Sequence, residues 1–139
     1  MSFQSDLASA NHILFHQGIL DAFGHVSARD PNDSGTFLLS RNLAPALVRD
    51  RDILRFDLDG HLRDHEDHAV YLERFIHAAI YKARPDVAAI VHSHAPAVLP
   101  YGLVPGAKLC PVCHMAGFLS RVTPVFEIRN HCEIGRAHV

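Results

Sequence analysis

The segment that most limits how this chain can fold is Val87-Ala88-Ala89-Ile90-Val91, an unbroken apolar run that ends abruptly at His92-Ser93-His94. It is too short for a core helix, and it reads as a strand covered on both faces. Upstream, Leu72, Phe75, Ile76, Ala79, Ile80 and Ala83 recur at helical spacing. That pattern predicts a helix over Tyr71–Ala83 with this stripe buried and Pro85 as its stop. Asp6–Asp21 predicts an earlier helix. Leu7, Ala10, Leu14 and Gly18 share a face, Ser5 or Asp6 can cap its start, and Gly24 follows its end. His25–Arg29 and Thr36–Leu39 flank a turn cluster, Asp30–Gly35, and predict a hairpin. Asp52–Asp57 predicts a strand running into a turn at Asp59-Gly60. Met115–Leu119 predicts a short helix and Val122–Ile128 a further strand. Helices interleaved with hairpin strands give an α/β sandwich with helices packed on a mixed sheet.

Composition narrows the function. A chain of 139 residues, 48% hydrophobic and 20% charged, suffices for one domain with a core. Its net charge of −2 supplies no basic footprint for nucleic acid. No apolar run approaches the length needed to span a membrane, and the N-terminus lacks the basic start and apolar stretch of a signal peptide. The expectation is a cytoplasmic protein with neither nucleic acid nor membrane as partner. The unusual count is 12 histidines, against 3 cysteines and no tryptophan. Histidine is the commonest metal ligand and titrates nearest neutral pH. His61, His65 and His68 stand in a polar stretch and read as surface residues. Cys110-Pro-Val-Cys113-His114 matches a haem-attachment pattern, but such attachment needs export. A zinc ribbon would need a second cysteine pair, and Cys132 stands alone. Reduced, partly buried thiols are the simpler reading.

His92 and His94 are two apart on a strand, so they point to one face and can converge on one ion. Strand ends also carry ligand sites in open α/β sheets. Glu73 lies at the margin of the helical stripe, where a carboxyl can give or take a proton. From periodicity alone, a first-turn glutamate favouring the helix dipole is the more economical reading. Arg41, after Ser40, can grip a carboxylate with two hydrogen bonds or simply face water. His25 and Ser27 share one strand face and either line a pocket or meet solvent.

These residues together resemble the class II aldolase/adducin family, from Asp6 to about Arg129. The resemblance rests on Gly24-His25-Val26-Ser27-Ala28-Arg29, Leu39-Ser40-Arg41, Glu73 opening the long helix, and Ile90-Val91-His92-Ser93-His94. It implies a three-layer α/β/α sandwich with a central mixed, largely antiparallel sheet, and a homotetramer with sites near subunit interfaces. It implies His92 and His94 as ligands of a divalent metal, zinc first with manganese or another divalent ion as the alternative, and Glu73 as the acid/base.

The sugar-phosphate aldolases of that family resemble Gly-Asn-x-Ser where this chain has His25. They carry Ser-Ser where it has Tyr71-Leu72, so phosphate-holding groups are missing. Tyr71–His77, Leu39–Arg41 and His114–Leu119 look instead like the decarboxylase branch, which acts on ring-derived or ring-fission acids in aromatic-compound catabolism. The implied function is a metal-dependent lyase that decarboxylates a β-keto-acid-like or hydroxylated aromatic carboxylate. The metal stabilises the enolate, Glu73 protonates it, and Arg41, with Ser40, His25 and Ser27, binds the small-molecule carboxylate substrate. The alternatives are a class II aldolase or epimerase on a small hydroxy-carbonyl compound, and a non-catalytic adducin-like interaction module.

The family's third metal histidine lies in a Gly-His-Gly-like segment that has no counterpart here, and the spacing of His114 and His131 supports neither as substitute. Glu133–Val139 follows no periodic pattern and matches the translation of a common short-read sequencing adapter. The expectation is therefore a partial family domain over 1–132, incomplete at its C-terminus, and a non-native tail over 133–139.

Overall fold

A computed structural model describes residues 2–63, 68–119 and 123–124 of the chain. Of the expected strand at Val122–Ile128 only Thr123 and Pro124 are described, and they form no strand; the rest of it and the tail over 133–139 lie outside the described residues.

Helix α1 spans Phe3–His16. It begins earlier than the sequence pattern predicts because the Ser2 side chain accepts from the Ser5 amide, 3.2 Å away. It also stops earlier, because Gly18 takes a left-handed φ of 68° and breaks the helical path. Strands β1 (His25–Arg29), β2 (Thr36–Ser40) and β3 (Ile53–Asp57) follow, then α2 (Arg74–Ala83), β4 (Ala89–His92) and a short α3 (Leu99–Leu103). The sheet order is β3-β2-β1-β4, and every pairing is antiparallel. The hairpin predicted at Asp30–Gly35 is there. The predicted Asp59-Gly60 turn brings Phe56 back against Leu62. Gly60 has φ 81°, and a Cβ on it would stand 2.5 Å from the Phe75 ring. In place of the short helix expected at Met115–Leu119 there is one 3-10 turn, His114–Ala116. Cys110 and Cys113, expected to be partly buried, are exposed on the irregular segment before it.

Helices pack on both faces of the sheet. On one, Leu7 and Ala8 of α1 meet Val26, Ala28, Leu38, Val48 and Ile53. On the other, Ala78 and Tyr81 of α2 meet Phe37, Leu39, Leu54 and Phe56. The alternation of β1 explains this division: Val26 and Ala28 face α1, while His25 and Ser27 face α2.

Two expectations need correcting. Strand β4 is not covered on both faces. Its residues alternate between exposed and half-buried, because it lies at the edge of the described sheet. And α2 does not bury its apolar stripe. Leu72 is 53% exposed and Ala79 and Ala83 are exposed, while His77, Ala78 and Tyr81 are buried. The buried face is the one whose polar groups find partners inside. Ser27 Oγ lies 2.6 Å from His77 Nδ1 and 2.8 Å from the Tyr81 hydroxyl. The Arg29 guanidinium sits 4.8 Å over the Tyr81 ring and donates to the carbonyls of Tyr81, Arg84 and Val87. It thereby adds donors to carbonyls at and just beyond the end of α2.

Candidate active site

The antiparallel register gathers the candidate residues at one end of the sheet. His25 opens β1, His92 closes β4, and the two are cross-strand partners. Ser40 closes β2 at the same end, with Arg41 next to it. Gly24 permits the close approach. A Cβ there would stand 2.9 Å from Leu20 Cδ2 and 3.1 Å from the His92 carbonyl.

His92 and His94 turn their rings toward each other, 79° apart in plane, with their Nε2 atoms 3.1 Å apart. Two nitrogens bound to one tetrahedral zinc at about 2.0–2.1 Å would be roughly 3.3 Å apart. The separation is therefore close to that of two imidazoles sharing one divalent ion. His94 Nδ1 lies 3.3 Å from the Asp21 carboxylate. Burial pushes the Asp21 carboxyl up, but the Gly24 and Phe23 amides and His94 outweigh it and hold the group below the ordinary carboxylate range.

A second group of imidazoles packs behind this pair. His25, His77 and His92 each offer a ring nitrogen within 4.8 Å of the others. By distance this trio could also hold a metal. Its orientation is less suited to that: His25 and His92 stack with planes 2° apart and centroids 4.9 Å apart, so their in-plane lone pairs run parallel instead of meeting. On its other side His25 stacks against Tyr71 at 4.1 Å. Its Nδ1 donates to the Phe23 carbonyl at 3.1 Å, and its Nε2 is buried without a hydrogen-bond partner, as is Nε2 of His77. Burial pushes His25 down to about 4 and His77 to about 3, so both are neutral at pH 7. His77 closes the Tyr71–His77 stretch of the sequence. Nothing in its spacing separated it from its neighbours, because its burial is decided by Ser27 and Tyr81 across the helix–sheet interface.

Glu73 stands immediately before α2, half-buried, and makes no capping hydrogen bond. Its charge acts on both His25 and Tyr71. Ser27 and Ser40 are fully buried, Ser27 on His77 and Tyr81, and Ser40 beside the Tyr71 hydroxyl. Arg41 is paired with Asp52. Its Nε donates to Asp52 Oδ1 at 2.7 Å, and its backbone N–H donates to the Asp52 carbonyl. A cavity of about 350 Å³ is lined by Ser93, Ala95, Val98, Leu99 and Tyr101 among others, and by none of the candidate site residues.

Residues 5–137 match the family described as Class II Aldolase and Adducin N-terminal domain. The chain belongs to that family. Within it, the chain is 43% identical over 122 residues to Decarboxylase tropJ of Talaromyces stipitatus, covering 86% of this chain and 46% of that protein. Among solved structures it is similar to the L-fuculose 1-phosphate aldolase of Glaciozyma antarctica, with 30% identity and a TM-score of 0.60 over 71% of this chain and 41% of that one. YgbL of Escherichia coli shares the fold at 14% identity, with a TM-score of 0.73 over 97% of this chain and 68% of that one. The chain thus spans less than half the length of the first two relatives.

Proposed function

We propose that this chain carries the metal-binding and proton-transferring residues of a carbon–carbon lyase that decarboxylates a β-keto-acid-like or hydroxylated aromatic carboxylate. The observation that carries the reading is the convergence of His92 and His94 at 3.1 Å in a chain 43% identical to a decarboxylase. His92 and His94 would hold the divalent ion, with zinc suited to two imidazole ligands. When bound, the ion supplies Lewis-acid stabilisation of negative charge on a substrate oxygen.

The chain's own residues do the rest. Cleavage of the bond to the carboxylate leaves its electron pair on the substrate carbon as carbon dioxide departs. Glu73 donates a proton to that carbon and regains one from water. Neutral His25 cannot pair with a carboxylate as a cation, so its buried Nε2 serves as a hydrogen-bond acceptor, and Ser27 holds the layer beneath it. Arg41, oriented by Asp52, remains the cation for a substrate carboxylate, with Ser40 beside it. The mostly apolar cavity lined by Ser93 and Ala95, the neighbours of His94, would suit a ring-derived acid. The reading extends to a three-layer α/β/α sandwich, a homotetramer and a cytoplasmic setting in the catabolism of aromatic compounds.

The likeness to an aldolase favours a second reading, aldol cleavage or epimerisation of a small hydroxy-carbonyl compound. Against a phosphorylated sugar stands Tyr71: it is buried, and its hydroxyl donates to the Leu43 carbonyl at 2.5 Å and accepts from the Leu43 amide at 3.3 Å. The test is single-turnover release of carbon dioxide and solvent-deuterium incorporation from a panel of hydroxylated aromatic and β-keto acids. Decarboxylation is expected, with Glu73→Gln slowing product protonation about 100-fold or more. Retro-aldol products without carbon dioxide would replace this reading with the second. Unchanged protonation in Glu73→Gln would remove that residue's role.

A further inference from the structure

Asp21 lies in the loop between α1 and β1, far in sequence from His94, and it contacts both that histidine and the start of β1. Its Oδ1 accepts from the amides of Phe23 at 3.0 Å and Gly24 at 2.7 Å, which leaves the carboxylate locked in one orientation. Both carboxylate oxygens lie 3.3 Å from His94 Nδ1. The opposite nitrogen, Nε2, faces His92. A second tether runs beside this one: Ser93 Oγ donates to the Ile19 carbonyl and accepts from the Ala95 amide at 3.1 Å. The loop before β1 therefore holds Ser93 as well as the His94 ring.

We propose that Asp21 is the positioning residue of the metal site: it accepts the His94 Nδ1 proton, and so fixes the tautomer and the ring orientation that present the Nε2 lone pair to the ion. A carboxylate can only accept, so a neutral imidazole against it must carry its proton on Nδ1. Carboxylate partners of this kind orient metal-binding imidazoles and raise their basicity, and their loss typically costs 10–100-fold in metal affinity. The proposal rests on the metal reading above. It adds that part of the site is built by a loop preceding β1, which neither the His-x-His pair nor Glu73 indicates.

Asp21→Asn is the discriminating variant. Its amide oxygen can still accept from Phe23 and Gly24, but its NH₂ group would meet His94 as a donor and favour the Nε2–H tautomer. Zn2+ affinity would be measured by competition with a chromophoric chelator. The His94 tautomer would be read from long-range proton–nitrogen NMR correlations of the metal-free chain, and thermal unfolding would report on folding. The expected result is Zn2+ binding weakened about 10–100-fold, a switch of His94 from Nδ1–H to Nε2–H, an unchanged unfolding midpoint, and partial rescue by Asp21→Glu. Wild-type affinity in Asp21→Asn, with His94 still protonated on Nδ1, would overturn the proposal. If the wild-type chain itself bound no Zn2+, the metal reading would fail. The NMR tautomer would then still decide whether Asp21 sets the protonation of His94.

Discussion

His25 and His77 are packed where water does not reach, and burial pushes them from the ordinary 6.5 to about 4 and about 3. In the unfolded chain both would titrate near 6.5, so below that pH the unfolded state binds more protons. Their contribution to stability is therefore full above pH 6.5. It is lost as pH falls toward the folded values, at about 1.4 kcal/mol per pH unit for each histidine. Urea unfolding at pH 7.5, 6 and 5 should show this loss, and His77→Gln should flatten it. A stability independent of pH over that range would show that the two imidazoles are not buried as described. His92 and His94 play a different part. They are half-buried, and the His94 ring also meets a third residue, Asp21. The His-x-His spacing was legible in the sequence. The parallel stacking of His25 on His92 was not, because it depends on the register between β1 and β4.

In α2 the sequence and the fold pull in different directions. The helical period was readable, and the helix is where the period predicts, starting three residues later at Arg74. The face was misread. Hydrophobicity pointed to Leu72, Ile76 and Ile80, whereas packing buries His77, Ala78 and Tyr81, because Ser27, Phe37 and Arg29 give those side chains hydrogen-bonding and aromatic partners. This reversal is testable by a pair of substitutions. Leu72→Gln, on the exposed side, should change stability by no more than about 0.5 kcal/mol. Ala78→Leu, which overfills the interface with the sheet, should destabilise by about 1–3 kcal/mol. Denaturant titrations of both variants would check it, and the opposite ranking would restore the sequence-derived face. Strand β4 follows the same logic. Its apolar run predicted a strand, but only its position at the edge of the described sheet sets how much of it is covered.

At the scale of the molecule, two cores on opposite faces of one antiparallel sheet carry the fold, and the candidate metal ligands lie beyond them at the sheet end. Neither core needs the ion, so metal binding should stabilise a fold that already exists. Zn2+ at about 100 times its dissociation constant should add about 2.7 kcal/mol, read as a rise in unfolding midpoint that His94→Ala abolishes while far-UV circular dichroism of the metal-free chain stays native-like. A chain that gained its secondary structure only with Zn2+ would contradict this. What the sequence by itself determined is local: the hairpin, the helical and strand periods, the His-x-His pair at the end of a strand, Glu73 at the start of a helix, and a set of motifs specific enough to indicate the family. These follow from near-neighbour sterics and spacing. Only the tertiary structure decided which face of α2 is buried, that β1 and β4 pair so as to stack His25 on His92, that Arg41 is held by Asp52, and that Asp21 reaches His94. Each of those contacts joins residues brought together by strand register or helix–sheet packing, and no local pattern encodes which distant side chain will supply the partner.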